Sequence, residues 1–163
     1  MMRPFLPWPD KRLSTVADPV GEITDDIRAI WDEMVEVMDA IPGYGLAAPQ
    51  IGVMLRLAVV DCSEARGRAI RLADPEIVAT SDDTFEWEEA SPNLPGYSAW
   101  VTRPMSVTVA FTDPGGNRIR QDFEELWATS VLHQIDHLNG KMYFERLSRT
   151  KREMFRKKLR KRI

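Results

Sequence analysis

The chain has 163 residues, of which 44% are hydrophobic and 29% charged, as in an ordinary globular protein with one sizeable core. We expect a single domain over residues 1–163 in the cytoplasm, because no apolar run reaches the roughly 18 residues of a membrane span and no secretory signal is recognisable. The only cysteine is Cys62, which excludes an internal disulfide, and the net charge of −3 is unevenly distributed along the chain.

The first part of the chain predicts a loop followed by an amphipathic helix. Prolines at positions 4, 7, 9 and 19 indicate an extended loop over residues 4–22. Apolar residues then recur at the spacing of one helix face over residues 25–40, with Thr24 as the N-cap and Pro42-Gly43 after the end. Trp31 and Met34 lie on this face and should belong to the core.

Residues 43–52 are rich in small residues, which allow a second backbone or a ligand to approach closely. Gln50 is the polar side chain of this stretch. The stretch is either a helix-to-strand connection in which Gln50 is satisfied internally or part of a binding site. Glycine spacing alone does not decide between the two.

The middle of the chain predicts strands separated by turns. Residues 55–61 should form a buried strand, and residues 70–73 and 77–80 two short strands. Residues 81–89 are acidic and turn-like, although Phe85 and Trp87 alternate with polar residues there. Apolar residues recur at every second position over residues 105–111, which predicts a strand. After a strong turn signal, residues 118–123 should form a strand antiparallel to it.

A helix predicted over about residues 124–138 carries the main candidate site. His133 and His137 are four residues apart and so lie on one helix face, where two imidazoles can bind one metal ion. In the zinc-hydrolase pattern H-E-x-x-H, a glutamate follows the first histidine and acts as general base. Gln134 occupies that place here, and its amide cannot take up a proton near neutral pH. A structural histidine pair is the alternative.

Three separated segments resemble the motifs of peptide deformylases, in the same order and at matching separations. Residues 43–50 (GYGLAAPQ) resemble G-x-G-x-A-A-x-Q, residues 89–93 (EASPN) lie where E-G-C-L-S would lie, and residues 133–140 (HQIDHLNG) resemble H-E-x-D-H-L-x-G. The resemblance implies an α+β fold. Mixed, mostly antiparallel sheets would pack around a central helix bearing HQIDH, followed by a basic helix over about residues 148–163.

The resemblance also implies a chemistry. Deformylases remove the formyl group from the N-terminal methionine of new proteins, using iron(II) or zinc held by one cysteine and two histidines. Carried over by motif position, His133 and His137 are the metal ligands. Gln50 is the residue that stabilises the oxyanion, and an N-terminal peptide is the ligand.

Three catalytic positions depart from the family pattern. The metal-binding cysteine is replaced by Ser91, the leucine that donates an oxyanion N–H by Pro92, and the glutamate by Gln134. Losing a general base typically costs about 10²–10⁴ in rate, and losing one oxyanion donor about 10²–10³. We therefore expect little or no deformylase activity, and either no cofactor or a weakly bound zinc or iron ion, with Ser91 a doubtful third ligand.

Two other functions remain open. The chain could be a divergent, active metal-dependent amidase or deformylase, or Ser91 could act as a nucleophile helped by a histidine. Alternatively, the old pocket and the basic C-terminal end could serve a ribosome- or peptide-binding module. From Arg146 to Arg162 there are ten basic residues and one acid, so this end carries +9 and the rest of the chain −12.

Two smaller predictions concern the surroundings of the site. Arg103 and Asp136 should form a buried ion pair that holds the histidine helix against a strand. Tyr44 and Trp87 are candidates to line the pocket, although single aromatic residues more often serve packing.

Overall fold

The structure, a computed structural model, describes residues 2–162 of the chain, so Met1 and Ile163 lie outside the described residues. Its helices are α1 (Asp25–Ala40), α2 (Leu126–Leu138) and α3 (Arg149–Arg162). Its strands are β1 (Gly45–Ala47), β2 (Leu57–Val60), β3 (Ile70–Thr80), β4 (Thr84–Glu89), β5 (Ala99–Pro104), β6 (Ser106–Thr112) and β7 (Arg118–Glu124).

Two antiparallel sheets pack around one helix. The larger sheet has the strand order β1-β2-β3-β6-β7, and the smaller one consists of β4 and β5. Helix α2 contacts β1, β2 and β7 of the larger sheet and both strands of the smaller one. This arrangement confirms the predicted α+β fold with the HQIDH helix at its centre.

Helix α1 has the bounds that the sequence predicts. The Thr24 hydroxyl caps it by accepting a hydrogen bond from the Ile27 N–H at 3.3 Å, and the two acids of its first turn favour the positive end of the helix dipole. Trp31 and Met34 are completely buried against the side chains of β1 and β2, as expected. The helix therefore covers one end of the larger sheet.

Helix α2 is buried from Ala128 to Leu138, which explains why a single helix can carry both core and site residues. Val131, Leu132 and Ile135 pack on the side chains of β2, β6 and β7. Consequently His133 and His137 lie towards the smaller sheet, where β4 supplies the nearest ionisable partner.

The prediction of a turn over residues 81–89 is wrong, because β4 occupies most of this segment. Phe85 and Trp87 are half-buried and alternate with exposed acids, which is the pattern of a strand with one solvated face. The partner strand β5 was not predicted. Strand β3 is one strand rather than two, because a register shift between Ala73 and Glu76 accommodates Asp74, whose φ is 48°.

The chain ends in the predicted basic helix. Ser148 precedes α3, and its Oγ accepts a hydrogen bond from the Lys151 N–H at 3.4 Å. Phe155 and Leu159 are buried against the aromatic residues that precede the helix. Among residues 2–162, no helix combines the length and the apolar character needed to cross a bilayer.

Candidate active site

Helix α2 brings two imidazole nitrogens to one point. The Nε2 atoms of His133 and His137 are 3.1 Å apart, and both residues are buried. Two nitrogen ligands of a tetrahedral zinc ion, each at about 2.0–2.1 Å, would lie about 3.3 Å apart. The two histidines are therefore oriented as a pair of metal ligands would be.

A buried carboxylate fixes the first of these rings. Glu89 Oε1 at the end of β4 lies 2.8 Å from Nδ1 of His133, so a proton on Nδ1 leaves the Nε2 lone pair free. Burial alone would raise the pKa of Glu89, but the hydrogen bonds from His133 and Arg103 outweigh it and the pKa is lowered. Glu89 therefore stays ionised and orients His133.

The predicted buried ion pair between Arg103 and Asp136 is confirmed, and it belongs to a larger network. Arg103 donates to both carboxylate oxygens of Glu89 at 2.7 and 2.9 Å, and to Asp136 at 3.0 Å. Arg146 also donates to Asp136, from the solvent side. Two arginines and two carboxylates thus lock α2 against β4 and β5.

His137 stays neutral near physiological pH. Burial is the main reason that its pKa lies well below the usual 6.5, and the charges of His133 and Arg103 lower it further. Its Nδ1 atom has no hydrogen-bond partner among residues 2–162. Because His133 carries its proton on Nδ1, the 3.1 Å contact is a hydrogen bond donated by His137 Nε2, and metal binding at this atom would require the proton to move to Nδ1.

At Ser91, where the resemblance implies a third metal ligand, the structure has a neutral hydroxyl that is already hydrogen-bonded within the protein. Ser91 Oγ donates to Asn93 Oδ1 and accepts from Gln50 Nε2, both at 3.1 Å. Within the described part of the chain, no group of three or more His, Cys, Asp or Glu side chains is arranged to hold a metal ion. The residues present fit two imidazole ligands but not the three-ligand set of the family.

Gln50 is held by the short 3-10 helix Ala48–Ile51 that follows β1. Its Oε1 accepts a hydrogen bond from the Ala47 N–H at 2.9 Å, while its Nε2 donates to Ser91 Oγ and to Asn93 Oδ1 at 2.8 Å. The Gln50 amide nitrogen therefore has two hydrogen-bond partners within the protein. Pro92 has no N–H to add.

A cavity of about 280 Å³ opens beside His133. Tyr44 and Trp87 line it, as predicted, and meet edge-to-face with ring centroids 6.4 Å apart. The Gln134 side chain also lines it and lies over Gly45, where an added Cβ would be only 2.5 Å from the Gln134 amide nitrogen. The close approach that the small residues suggest is thus made by a side chain of α2.

The structure brings every predicted site residue into one region: Gln50, Ser91, Pro92, His133, Gln134 and His137. Their catalytic roles stay predictions. Sequence reasoning missed Glu89 and Asn93, although both lie inside the second motif. Glu89 belongs to a run of acids, and only its place at the end of β4, beside α2, distinguishes it from its exposed neighbours. No sequence signal identified Asn93 as the partner of Gln50.

The contact between Ser91 and a histidine that a serine nucleophile requires is not among the hydrogen bonds of residues 2–162. The Ser91 hydroxyl points its hydrogen at the Asn93 carbonyl instead. A serine nucleophile depends on an adjacent base to remove that hydrogen. The geometry therefore does not favour this alternative.

Comparison with known proteins agrees with the geometry. The sequence model of the family described as polypeptide deformylase matches residues 2–153. A peptide deformylase of Afipia carboxidovorans is 41% identical over 159 residues, 96% of this chain and 93% of that protein. The crystal structure of a peptide deformylase from Legionella pneumophila aligns with a TM-score of 0.88 at 38% identity, over 99% of this chain and 95% of that one. The peptide deformylase from Ehrlichia chaffeensis in complex with actinonin aligns with a TM-score of 0.88 at 32% identity, over 99% and 97% of the two chains. The chain belongs to the peptide deformylase family.

Proposed function

We propose that this family member keeps a cleft for the N-terminal end of a peptide but hydrolyses formyl peptides very slowly or not at all. The observation that carries the proposal is the set of hydrogen bonds around Gln50. Its amide nitrogen, the oxyanion donor that the resemblance implies, donates to Ser91 Oγ and Asn93 Oδ1. Pro92 supplies no backbone N–H at the neighbouring position.

A developing oxyanion would therefore compete with Ser91 and Asn93 for the Gln50 amide. Each missing donor typically costs about 10²–10³ in turnover number. A rotation of the Gln50 amide towards an oxyanion would give up its two buried hydrogen bonds, each worth about 1 kcal/mol. Stabilisation of the tetrahedral intermediate is thus weakened at both of the expected donors.

The proton transfer is impaired as well. Gln134 lies where the family has a glutamate, and an amide can neither take nor return a proton near neutral pH. The loss of a general base typically lowers the rate by about 10²–10⁴. This loss and that of the oxyanion donors do not multiply in full, because parts of one site act together.

A divalent ion, zinc or iron(II), would be held here by His133 and His137. When bound, it would supply Lewis-acid activation of water. The chain itself provides the orientation of the His133 ring by Glu89 and a neutral hydroxyl at Ser91. Without an anionic third ligand we expect any such ion to be weakly held.

The likeness to the Ehrlichia chaffeensis enzyme, which is in complex with actinonin, supports a retained peptide cleft. The cavity lies beside His133 and is lined by Tyr44, Trp87 and Leu126, so it offers apolar walls next to polar groups. Such a combination is usual for a pocket that binds one small ligand. Actinonin is therefore a suitable probe of the cleft.

The test is a restoration experiment. Turnover of formyl-Met-Ala-Ser is measured with iron(II), zinc or nickel for the natural chain and for the triple variant Ser91→Cys, Pro92→Leu, Gln134→Glu. We expect turnover near background for the natural chain and at least about 10²-fold more for the triple variant, since it regains a base and a donor. Gln121→Glu, which adds a carboxylate on β7, is the matched control and should change nothing.

The alternative of an active, divergent amidase or deformylase rests on the converging histidines and on Glu89 beside them. An ordinary deformylase rate in the natural chain, supplied with any of the three ions, would establish this alternative and defeat the proposal. Actinonin binding without turnover is the result that the proposal expects.

A second candidate function concerns α3. Phe155 and Leu159 anchor this helix, and the outward face carries exposed cations, namely Arg149, Lys151, Lys157, Lys158, Arg160 and Lys161. We propose that this face binds RNA phosphate, as on a ribosome. The variant Lys157→Glu, Lys158→Glu, Lys161→Glu leaves the two anchors in place. It should abolish co-sedimentation with ribosomes at low salt, and co-sedimentation that persists would contradict the proposal.

A further inference from the structure

The outer edge of the larger sheet is an unpaired strand. Strand β7 (Arg118–Glu124) ends the strand order β1-β2-β3-β6-β7, and no further strand of residues 2–162 pairs with it. Its main contacts are with β6 on one side and with α2 on one face. An edge of this kind presents free backbone N–H and C=O groups, so it is a surface to which another strand can add.

The hydrogen bonds at both ends of β7 show which of its residues face this free edge. The Glu125 N–H donates to the Met105 carbonyl at 2.8 Å, and the Asp113 N–H donates to the Asn117 carbonyl at 2.9 Å. In an antiparallel ladder, hydrogen-bonded pairs alternate with non-hydrogen-bonded ones. Because the register between β6 and β7 is unbroken, the odd-numbered residues of β7 bond to β6. The backbone groups that point outward are therefore those of the even-numbered residues, Arg118, Arg120, Asp122 and Glu124.

The charges of these four residues change sign at the middle of the strand. Two cations precede Gln121 and two acids follow it, and all four side chains are exposed. A second β7 that runs antiparallel about a two-fold axis at Gln121 brings Arg120 opposite Asp122. It also brings Arg118 opposite Glu124. Opposite charges in directly facing positions stabilise a strand pair.

Every neighbouring register brings like charges together. An axis at Arg120 sets this residue opposite its own copy, and an axis at Asp122 does the same for the acid. An axis at Ile119 pairs Arg118 with Arg120. An axis at Phe123 pairs the two acids with each other. Like charges in facing positions are destabilising, so the charge order selects the register centred on Gln121.

The central pair of this register is free to form. Among the described residues, the Arg120 side chain has neither a hydrogen bond nor an ion pair. Asp122 accepts one hydrogen bond from the Thr108 hydroxyl at 2.5 Å, and its carboxylate keeps further lone pairs for a second partner. Arg118 already pairs with Glu76 at 3.3 Å, so the outer pairs contribute less.

The other face of the edge offers apolar surface to the same pairing. Phe123 and the half-buried Trp127 line a groove along β7, together with Ile70. Pairing about Gln121 places Ile119 of the second copy opposite Phe123, beside this groove. Ile119 is only half-buried in the single chain. Its further burial would add to the backbone hydrogen bonds of the new strand pair.

We infer that the outer edge of β7 is a self-association surface, to which a second copy of this chain adds antiparallel about a two-fold axis at Gln121. The two copies join their five-stranded sheets into one continuous sheet. The interface is a single strand edge, so it is small, and the dimer is a reversible one with a dissociation constant in the micromolar range. The inference does not depend on the proposed function, because no β7 residue lines the cavity beside His133.

Sedimentation velocity over a range of concentrations tests the association and its charge pairs. We expect the natural chain to form dimers at micromolar concentrations in low salt and fewer dimers in high salt, since the facing charges are exposed. Arg120→Glu and Asp122→Arg each place like charges in facing positions. Each should raise the dissociation constant of the dimer at least about tenfold.

The double variant Arg120→Glu, Asp122→Arg restores opposite charges. Its dissociation constant should return to within about threefold of the natural value, and this recovery also shows that the substituted chain folds. Lys141→Glu is the matched control, because Lys141 is exposed and lies outside β7. It should leave the dissociation constant unchanged.

Cysteine cross-linking tests the register. Gln121 faces its own copy in a non-hydrogen-bonded pair, where Cα atoms lie about 4.5 Å apart, within the range that a disulfide bridges. In a Cys62→Ser background, Gln121→Cys should therefore form a disulfide between the two chains on mild oxidation. Arg118→Cys in the same background is the matched control. Its two copies would lie about 20 Å apart in this register and should not cross-link.

The results that would overturn the inference are distinct. A natural chain that stays monomeric at millimolar concentration has no such self-association surface. A dimer that neither charge reversal weakens uses another surface. A dimer that cross-links through Arg118→Cys but not through Gln121→Cys is paired in another register, which contradicts the charge argument.

Discussion

Glu89 Oε1 lies 2.8 Å from Nδ1 of His133, although the two residues are 44 positions apart in the chain. The same carboxylate receives two hydrogen bonds from Arg103, which also bridges to Asp136 on the histidine helix. The orientation of the candidate metal ligand therefore depends on the pairing of β4 with β5. A site that resembles a local helix motif is in fact fixed by a distant sheet.

Glu89→Gln should be strongly destabilising. The substitution leaves Arg103 with one carboxylate instead of two in a buried position, and breaking a buried charge pair costs about 3–5 kcal/mol. We expect the free energy of unfolding to fall by about 3 kcal/mol, at the lower end of this range, because Asp136 still pairs with Arg103. Urea unfolding followed by tryptophan fluorescence measures it.

Glu76→Gln is the matched control for this substitution. Glu76 pairs with Arg118 at 3.3 Å on the surface, and both side chains are exposed. Surface pairs of this kind contribute about 0–1 kcal/mol. Equal losses for the two variants would show that the buried network does not hold α2 in place.

Short sequence patterns predict the elements of this protein that are determined by residues close together in the chain. The cap at Thr24 and the apolar face through Trp31 lie within one helix, so its bounds can be read directly. The i, i+4 spacing likewise finds His133 and His137. Strand β5 escapes detection because its stability comes from pairing with β4 and from packing on residues that lie far away in the sequence.

The same limit applies to the site. Gln50 can be identified from a motif, but its state depends on Asn93, which is 43 positions away and binds it at 2.8 Å. Likewise, the Thr129 hydroxyl oxygen is buried without a hydrogen-bond partner among residues 2–162, which the helix pattern does not predict. The sequence therefore indicates which residues are present at the site, and the fold determines which of their donors and acceptors are already hydrogen-bonded.

Gly45→Ala tests the close contact between β1 and α2. An added Cβ would lie 2.5 Å from Gln134 Nε2 and 2.6 Å from Ser130 Oγ, so the side chains of α2 must move. Overpacking of this kind typically costs about 1–3 kcal/mol. We expect a loss of that size in the free energy of unfolding, measured by urea titration.

The double variant Gly45→Ala, Gln134→Ala is the control, because it removes most of the side chain that the new methyl group meets. Its loss in the free energy of unfolding should be smaller than the sum of the losses of the two single variants, as expected for residues in contact. Strictly additive losses would contradict the contact.

Asp61 should make stability depend on pH in the acid range. Burial of this carboxylate would raise its pKa, but hydrogen bonds from Ser63 and from the Arg68 N–H outweigh it, so the pKa is lowered from 3.8. The unfolded chain then binds the proton more readily than the folded one. The stabilisation is present above about pH 3.8 and is lost as the pH falls through the lower pKa of the folded state.

Asp61→Asn provides the comparison for this effect. At pH 6 the variant should be less stable by about 1.5–3 kcal/mol, the usual worth of hydrogen bonds to a charged group. The difference should shrink as the pH is lowered below about 3.8 and the natural carboxyl takes up a proton. Urea unfolding at these pH values measures it, and a constant difference would contradict the prediction.

Ser91→Cys should strengthen metal binding, because a thiolate is an anionic third ligand where the chain offers only a hydroxyl engaged with Asn93. Cobalt(II) titration reports this without any reaction. We expect the affinity for cobalt(II) to rise at least about tenfold, because even residues outside the ligand set usually change metal affinity by that factor. A sulfur-to-cobalt charge-transfer band should appear at the same time. Cys62 should not supply that band, because burial raises the pKa of its thiol to about 12. Titrations with and without Ser91→Cys, both in a Cys62→Ser background, verify this. Equally tight cobalt binding before and after the Ser91 substitution would mean that the two histidines need no thiolate.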